Sequence, residues 1–239
     1  MEPSNRIIYL DTIDSTNSYL HREKPPAGTI VYTFRQSAGR GRQGKSWIEV
    51  NDRNLALSVL FGAAPGEAPF WRIALLSLPM VELLNAVKVG AVWIKWPNDI
   101  LAGGKKIAGV LAETLLEENR ITGIIAGIGI NVNTTAEELT AVARPATSIF
   151  CETGRLQDLD RFAEEYLERL LRLLRENPPP GVIRERWLAG SGIIGRTLAW
   201  ASPAGAVHGC AVNVDEEGLL WLETDGGIVK VAAGDVDLR

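Results

Sequence analysis

Residues 92–109 run Val92-Trp93-Ile94-Lys95-Trp96-Pro97-Asn98-Asp99-Ile100-Leu101-Ala102-Gly103-Gly104-Lys105-Lys106-Ile107-Ala108-Gly109. Val92 to Lys95 reads as a strand, and it stops at Trp96-Pro97-Asn98 because Pro97 has no N–H to give to a ladder. Gly103-Gly104 is a hairpin signature between Ile100-Leu101 and an apolar run from Lys106 to Leu115. Ile121 to Val132 reads as the partner of that run, across the polar turn Glu117 to Arg120. Towards the amino terminus, Ile7 to Leu10, Thr29 to Phe34 and Leu55 to Phe61 read as strands. Ser15 is placed to cap a helix over Thr16 to His21, and Phe70 to Val89 predicts a long helix.

Beyond the strands, Leu159, Phe162, Ala163, Tyr166, Leu167, Leu170, Leu171 and Leu174 recur at helical spacing. Pro178-Pro179-Pro180-Gly181 ends that helix, and Val182 to Ala189 gives a second helical piece. From Gly195 the pattern changes to short strands: Thr197 to Trp200, Ala206 to Val214, Leu219 to Glu223 and Ile228 to Val231. A tail cut this way suggests a small barrel. The boundary is expected near Ala189, giving domains 1–189 and 190–239.

Of the 239 residues, 46% are hydrophobic and 23% charged, the range of an ordinary soluble globular protein. The 25 Lys+Arg against 29 Asp+Glu give a net charge of −4, and the whole imbalance falls in the tail, where Arg196, Lys230 and Arg239 face seven acids. A protein that coats nucleic acid would need the opposite excess. Cys151 and Cys210 stand far apart, with only His21 and His208 as imidazoles, so neither a zinc site nor a disulfide framework is expected. Two buried free thiols and a reducing cytoplasm are the expectation. Met1 to Arg6 shows no signal pattern, and the apolar stretch Phe70 to Trp93 carries too many polar interruptions for a membrane span.

Residues 39–46 match two phosphate-loop patterns. Gly39, Gly41 and Gly44 fit G-x-G-x-x-G, while Gly39, Gly44, Lys45 and Ser46 fit G-x-x-x-x-G-K-[ST]. Both patterns require a helix to open directly after the loop, so that its amino terminus faces the phosphate. Trp47-Ile48-Glu49-Val50-Asn51-Asp52 reads instead as β-like and then a turn, which argues against a phosphotransferase. The loop still concentrates Arg35, Arg40, Arg42 and Lys45 with no acid among them, a density that repels itself unless an anion is present.

Four further segments carry polar residues at element ends: Asp14-Ser15-Thr16-Asn17, Lys95 to Asp99, Lys106-Ile107-Ala108-Gly109, and Gly127 to Asn133. Ser15-Thr16-Asn17, Gln36 with Gly39-Arg40-Gly41-Arg42, Lys95 to Asp99, Lys106 to Gly109, Gly127 to Asn131 and Ala146-Thr147-Ser148 together resemble the biotin protein ligase family, over nearly the whole chain. Gln43 and Lys45 depart from it, standing where many relatives carry arginines.

The resemblance implies an α+β fold: a mixed sheet with helices, like the catalytic domain of class II aminoacyl-tRNA synthetases, plus an SH3-like barrel. It implies activation of biotin by ATP and Mg2+ to biotinyl-5′-adenylate, and transfer of biotin to a lysine of a biotin carboxyl carrier domain. By the same resemblance, Ser15, Thr16, Asn17 and Gln36 bind the biotin head group, with Gly39, Arg40, Gly41, Arg42, Lys106 and Gly109 also on biotin. Arg42, Trp47, Asn98, Asp99, Lys106 and Asn131 surround the adenylate. Lys106, Arg42, Arg40 and Asp99 carry the chemistry, Asp99 serving either magnesium or the acceptor amine, and no protein cage for the metal is expected. Lys105 rivals Lys106, but only Lys106 heads the Lys-x-Ala-Gly pattern.

Lipoate transfer on the same scaffold, and a biotin-responsive repressor, are the alternatives. Some relatives begin with a helix-turn-helix domain, whereas here the catalytic pattern starts by Tyr9, so no nucleic-acid partner is expected. A homodimer through the catalytic sheet is a further implication of the resemblance.

Overall fold

The computed structural model describes residues 6–47, 52–63, 68–118, 120–142, 144–202, 205–234 and 236–238. The elements run β1 (Ile7–Tyr9), α1 (Thr16–Glu23), β2 (Ile30–Thr33), β3 (Leu55–Gly62), α2 (Phe70–Ala86), β4 (Val92–Lys95), β5 (Asp99–Ala102), β6 (Lys105–Glu117) and β7 (Arg120–Ile130). There follow α3 (Ile149–Thr153), α4 (Leu159–Glu176), α5 (Pro180–Gly190), β8 (Thr197–Ser202), β9 (Gly205–Val214), β10 (Leu220–Thr224), β11 (Gly227–Val231) and β12 (Val236–Leu238). The first seven strands form one sheet in the order β1-β2-β3-β7-β6-β5-β4. Only β1 with β2 is parallel; the other pairs are antiparallel, so the sheet is mixed.

The two faces of the sheet follow from the strand period of two. Leu55, Leu57, Val59 and Phe61 of β3 and Ile124, Ala126, Ile128 and Ile130 of β7 pack in the main core with residues of α2 and α4. On α4 the spacing read from the sequence buries Phe162, Ala163, Tyr166, Leu167 and Leu170. The opposite face is covered in part by α1, through a smaller cluster of Leu20, Val31, Leu60 and Ile125. The rest of that face is left for the site. Ser15 caps α1 as expected, its side chain accepting from the Ser18 amide.

The carboxyl-terminal strands form a five-stranded antiparallel sheet, β11-β10-β9-β8-β12. Among the described residues no ladder joins β11 to β12, so the unit expected to be a small barrel is described as an antiparallel sheet. The three-residue strand β12 was not foreseen; it pairs Val236, Asp237 and Leu238 with Trp200, Ala199 and Leu198. This sheet shares one core with the larger sheet. Its β9–β10 turn enters an aromatic seat: the Trp71 indole donates to the Glu216 carbonyl, and the Trp96 indole to the Gly218 carbonyl at 3.0 Å. Gly218 lies at φ +84°, and a Cβ there would run into the Phe70 ring. Phe70, Trp71 and Trp187 meet edge to face with ring centroids 4.9–6.3 Å apart.

The thiols correct one expectation. Cys151 is exposed and Cys210 half-buried, neither in a disulfide. Ser148 caps α3 by accepting from the Cys151 amide; Ile149 takes the buried side of this short helix, and Cys151 is on the surface. The β-like reading of 47–52 falls mainly on residues 48–51, outside the described residues.

Candidate active site

The glycines of β7 make room for the site. Gly127, Gly129 and Asn131 share one face by alternation, and each glycine admits a neighbour that a side chain would exclude. A Cβ at Gly127 would collide with Asn17 Oδ1 and lie 2.7 Å from Ser58 Oγ; one at Gly129 would lie 2.6 Å from the Trp47 indole. On β6, a Cβ at Gly109 would lie 2.8 Å from Lys106 Nζ. Gly109 pairs directly with Gly129, so the two strands form a flat floor. Above it is a cavity of about 560 Å³.

One end of the cavity is hydrogen-bonding and neutral on balance, its cation Arg40 being paired with Glu113 beside Asn17. The Thr16 amide donates to Gln36 Oε1 at 2.8 Å, and Ser58 Oγ lies 2.7 Å from Thr16 Oγ1 and 2.6 Å from Asn17 Oδ1. Ser15, Thr16, Asn17 and Ser58 are all at most 4% exposed. Buried polar groups of this kind must be paired, and a ligand entering among them has to offer matching donors and acceptors.

The other end is cationic. Lys106 Nζ lies 2.6 Å from Asp99 Oδ1 and 5.6 Å from the centre of the Trp47 ring. Arg42 Nη1 donates to Asn98 Oδ1 at 3.1 Å, and Asn98 Nδ2 donates to the Val110 carbonyl. Asn131 Nδ2 donates to the Thr147 carbonyl, tying down the segment in which Lys106 bridges Ala146. From Gly127 to Asn131 is four residues of strand, about 13 Å. The cavity therefore offers a slot with a neutral head and a charged foot.

Lys106 reaches the slot through a β-bulge. Asp99 opposes Gly109 and Ile100 opposes Ala108, but Leu101 opposes Lys106, leaving Ile107 without a partner on β5. Ile107 and Ala108 are both fully buried in the core, and the chain then turns Lys106 to the cavity face. Strict alternation from Gly109 would have sent Lys106 into the core; bulges re-aim side chains in this way. Lys105 is exposed in the hairpin and does not line the cavity.

The glycine-arginine loop folds back on itself as a strap. The Trp47 amide donates to the Gly39 carbonyl, the Gly41 amide to the Lys45 carbonyl, and Arg40 bridges Ser46. Among the described residues it opens into no α-helix, only the single 3-10 turn Arg42–Gly44. Its expected self-repulsion is offset from elsewhere in the chain: Arg35 pairs with Asp52, Arg40 with Glu113 at 2.8 Å, and Arg42 with the Asn98 amide oxygen.

The cavity brings together Ser15, Thr16, Asn17, Gln36, Arg40, Gly41, Arg42, Trp47, Asn98, Asp99, Lys106, Gly109 and Asn131. Gly39 is the exception: it is buried behind the strap, where a Cβ would lie 2.6 Å from the Trp47 carbonyl oxygen and 3.1 Å from Gln36 Nε2. Sequence reasoning missed Ser58, Glu113 and Arg144, the last an exposed residue on the cavity rim. Only Arg144 had a local signal, since it directly precedes the Pro145-Ala146-Thr147-Ser148 segment. Among the described residues no cluster of three or more His, Cys, Asp or Glu could hold a metal ion. Among the described residues Asp99, already paired with Lys106, is the one carboxylate on the cavity wall.

Residues 9–131 match the model of the Biotin/lipoate A/B protein ligase family, and residues 193–239 that of the Biotin protein ligase C terminal domain. The bifunctional ligase/repressor BirA of Bacillus subtilis is 32% identical over 97% of this chain and 74% of its own length. The biotin–[acetyl-CoA-carboxylase] ligase of Mycobacterium tuberculosis is 33% identical over 87% of this chain and 78% of its own. The biotin protein ligase from Aquifex aeolicus, solved in complex with biotin and ATP, superposes with a TM-score of 0.81 at 28% identity, covering 98% of both chains. With the floor, strap and bulge in place and the matches running from Tyr9 to the end of the second sheet, the chain belongs to the biotin/lipoate A/B protein ligase family.

Proposed function

We propose that this protein activates biotin with ATP to biotinyl-5′-adenylate and transfers biotin to a lysine of a biotin carboxyl carrier domain. The observation that carries the reading is the polarity of the cavity, with buried hydroxyls and amides and an Arg40 already paired to Glu113 at the Asn17 end, and Lys106 with Arg42 at the other. A ureido ring presents two N–H donors and a carbonyl, which suit Ser15, Thr16, Asn17 and Gln36. The tail of the molecule ends in a carboxylate, which suits Lys106 and Arg42.

In the first step the biotin carboxylate attacks the α-phosphorus, the acyl–phosphate bond forms and pyrophosphate leaves. Bringing two anions together costs about 4 kcal/mol for unit charges near 4 Å at an effective dielectric of 20. Lys106 and Arg42 offset that repulsion and stabilise the charge that develops on the phosphoryl oxygens. Lys106 exchanges Asp99 for the substrate carboxylate, and this releases the Asp99 carboxylate to accept a proton from the incoming lysine amine. In the second step that amine attacks the acyl carbon and AMP leaves. No covalent enzyme intermediate is needed, because a mixed anhydride already acylates amines. The strap over residues 39–47 excludes the water that would hydrolyse it. Magnesium suits this site as an ion carried on the nucleotide phosphates, since one paired carboxylate cannot build a cage of its own.

The division into a catalytic unit 1–189 and a second unit 190–239 is part of the proposal. So are a cytoplasmic setting, which the two cysteines without a disulfide support, and pairing of two copies. Among the described residues no helix is long and apolar enough to cross a membrane. Incubation with ATP, magnesium, biotin and a carrier domain tests the reading: AMP and pyrophosphate are expected, with the mass of one biotin gained by the carrier. Release of ADP, or transfer of lipoate in preference to biotin, would overturn it.

A further inference from the structure

Glu113 projects from β6 on the same alternation as Gly109 and Leu111, both of which line the cavity, yet it is not itself on the cavity wall. Its carboxylate joins two segments far apart in sequence. Oε2 accepts from Asn17 Nδ2 at 2.8 Å, and Oε1 lies 2.8 Å from Arg40 Nη2. Arg40 Nη1 stands 3.5 Å from Oε2, so the guanidinium approaches both oxygens. The Glu113 side chain is 25% exposed and Asn17 is 4% exposed, which places this pairing at the inner edge of the strap.

A carboxylate can only accept hydrogen bonds, so it dictates which way the Asn17 amide faces. With Nδ2 turned to Glu113, Oδ1 faces Ser58 Oγ and accepts from it at 2.6 Å. The direction of donors and acceptors along the neutral end of the cavity is thus set from Glu113. The same carboxylate takes up the charge of Arg40, leaving Arg42 as the strap cation beside Asn98.

We infer that Glu113 is a positioning residue for the ligation reaction: it orients Asn17 towards the head group of the substrate and clamps the strap shut through Arg40. The inference rests on the proposed biotin reading and deepens it. Arg40 then serves mainly as a latch, and Arg42 with Lys106 carries the anion chemistry.

The test compares the full chain with Glu113→Gln, Arg40→Gln and the double variant. Glu113→Gln keeps the size but loses the charge and the strict acceptor character. It is expected to raise the KM for biotin about tenfold, as loss of a charged hydrogen bond does. The KM for ATP stays within about twofold, the melting temperature is unchanged, and trypsin cuts after Arg42 faster. Adding Arg40→Gln to Glu113→Gln costs little more, because the two share one interaction. A wild-type biotin KM in Glu113→Gln, or equal rises in both KM values together with a lower melting temperature, overturns the inference. Should the wild-type chain release no AMP with biotin, the ligase reading fails, and the trypsin comparison still decides the clamp.

Discussion

Lys106 Nζ stands 2.6 Å from Asp99 Oδ1 on the cavity face of the sheet, although strand alternation from Gly109 assigns Lys106 to the core. The extra residue, Ile107, takes the core position and turns the lysine over. In the proposed ligation the lysine has to face the phosphate, and one inserted residue turns it to that side. Lys106→Ala is expected to fold normally and to lose about a hundredfold to a thousandfold in biotin-dependent pyrophosphate release. Wild-type release by that variant would remove Lys106 from its role.

The floor glycines provide space and not unusual backbone, since neither Gly127 nor Gly129 has a positive φ. Gly127→Ala pushes a methyl into Asn17 Oδ1 and Ser58 Oγ. The KM for biotin should rise by more than about tenfold while the KM for ATP changes little, given the steep cost of overpacking a buried site. Steady-state kinetics with each substrate varied in turn checks the split.

Trp96 is 1% exposed and its indole donates to the Gly218 carbonyl across the two sheets. Trp96→Phe keeps most of the ring volume but strands that carbonyl, which costs about 1–3 kcal/mol. Urea unfolding should show a lower midpoint with an unchanged slope. An unaltered midpoint would mean that the carbonyl finds another donor.

Asp215 gives the molecule an acid-sensitive joint. Burial alone would raise its carboxyl, but hydrogen bonds from the Trp221 indole and the Leu219 amide, with the Lys230 charge, hold it below the usual aspartate range. A depressed carboxylate stabilises the fold above its unfolded value, about pH 3.9, and the benefit is lost as pH falls through the folded value. Asp215→Asn should therefore melt below the wild type at pH 7, and the gap should narrow as the pH is lowered beneath about 4. A gap independent of pH would assign the effect to packing.

Polar and charged residues at element ends drew attention to Ser15 to Asn17, Asn98, Asp99, Lys106 and Asn131, but each has a plain structural reading by itself. The order and spacing they share with Gln36 and Arg42, resembling the biotin protein ligase family, marked them together as a site. All of these line the cavity. Ser58 and Glu113 were illegible for the opposite reason. Each lies inside a strand, and the partners of each, Thr16 with Asn17 and Asn17 with Arg40, stand 41 to 96 positions away. The bulge at Ile107 was equally hidden, since register is a property of two strands together. Strands and long helices were legible because their apolar periods are long; β12, only three residues, had no period to show.

The seat of the β9–β10 turn among Phe70, Trp71 and Trp96 bears on how such chains can be recombined. Trp96 is two residues from Asn98, which holds Arg42. A carboxyl-terminal segment borrowed from a relative must therefore bring a turn with carbonyls where Glu216 and Gly218 present theirs, and no side chain at the second. Swaps that ignore this constraint would leave two indoles without acceptors and loosen the turn beside the nucleotide end of the slot. Inheritance of the two sheets is thus linked, and an exchange between lineages should survive only when the turn and its tryptophans travel together.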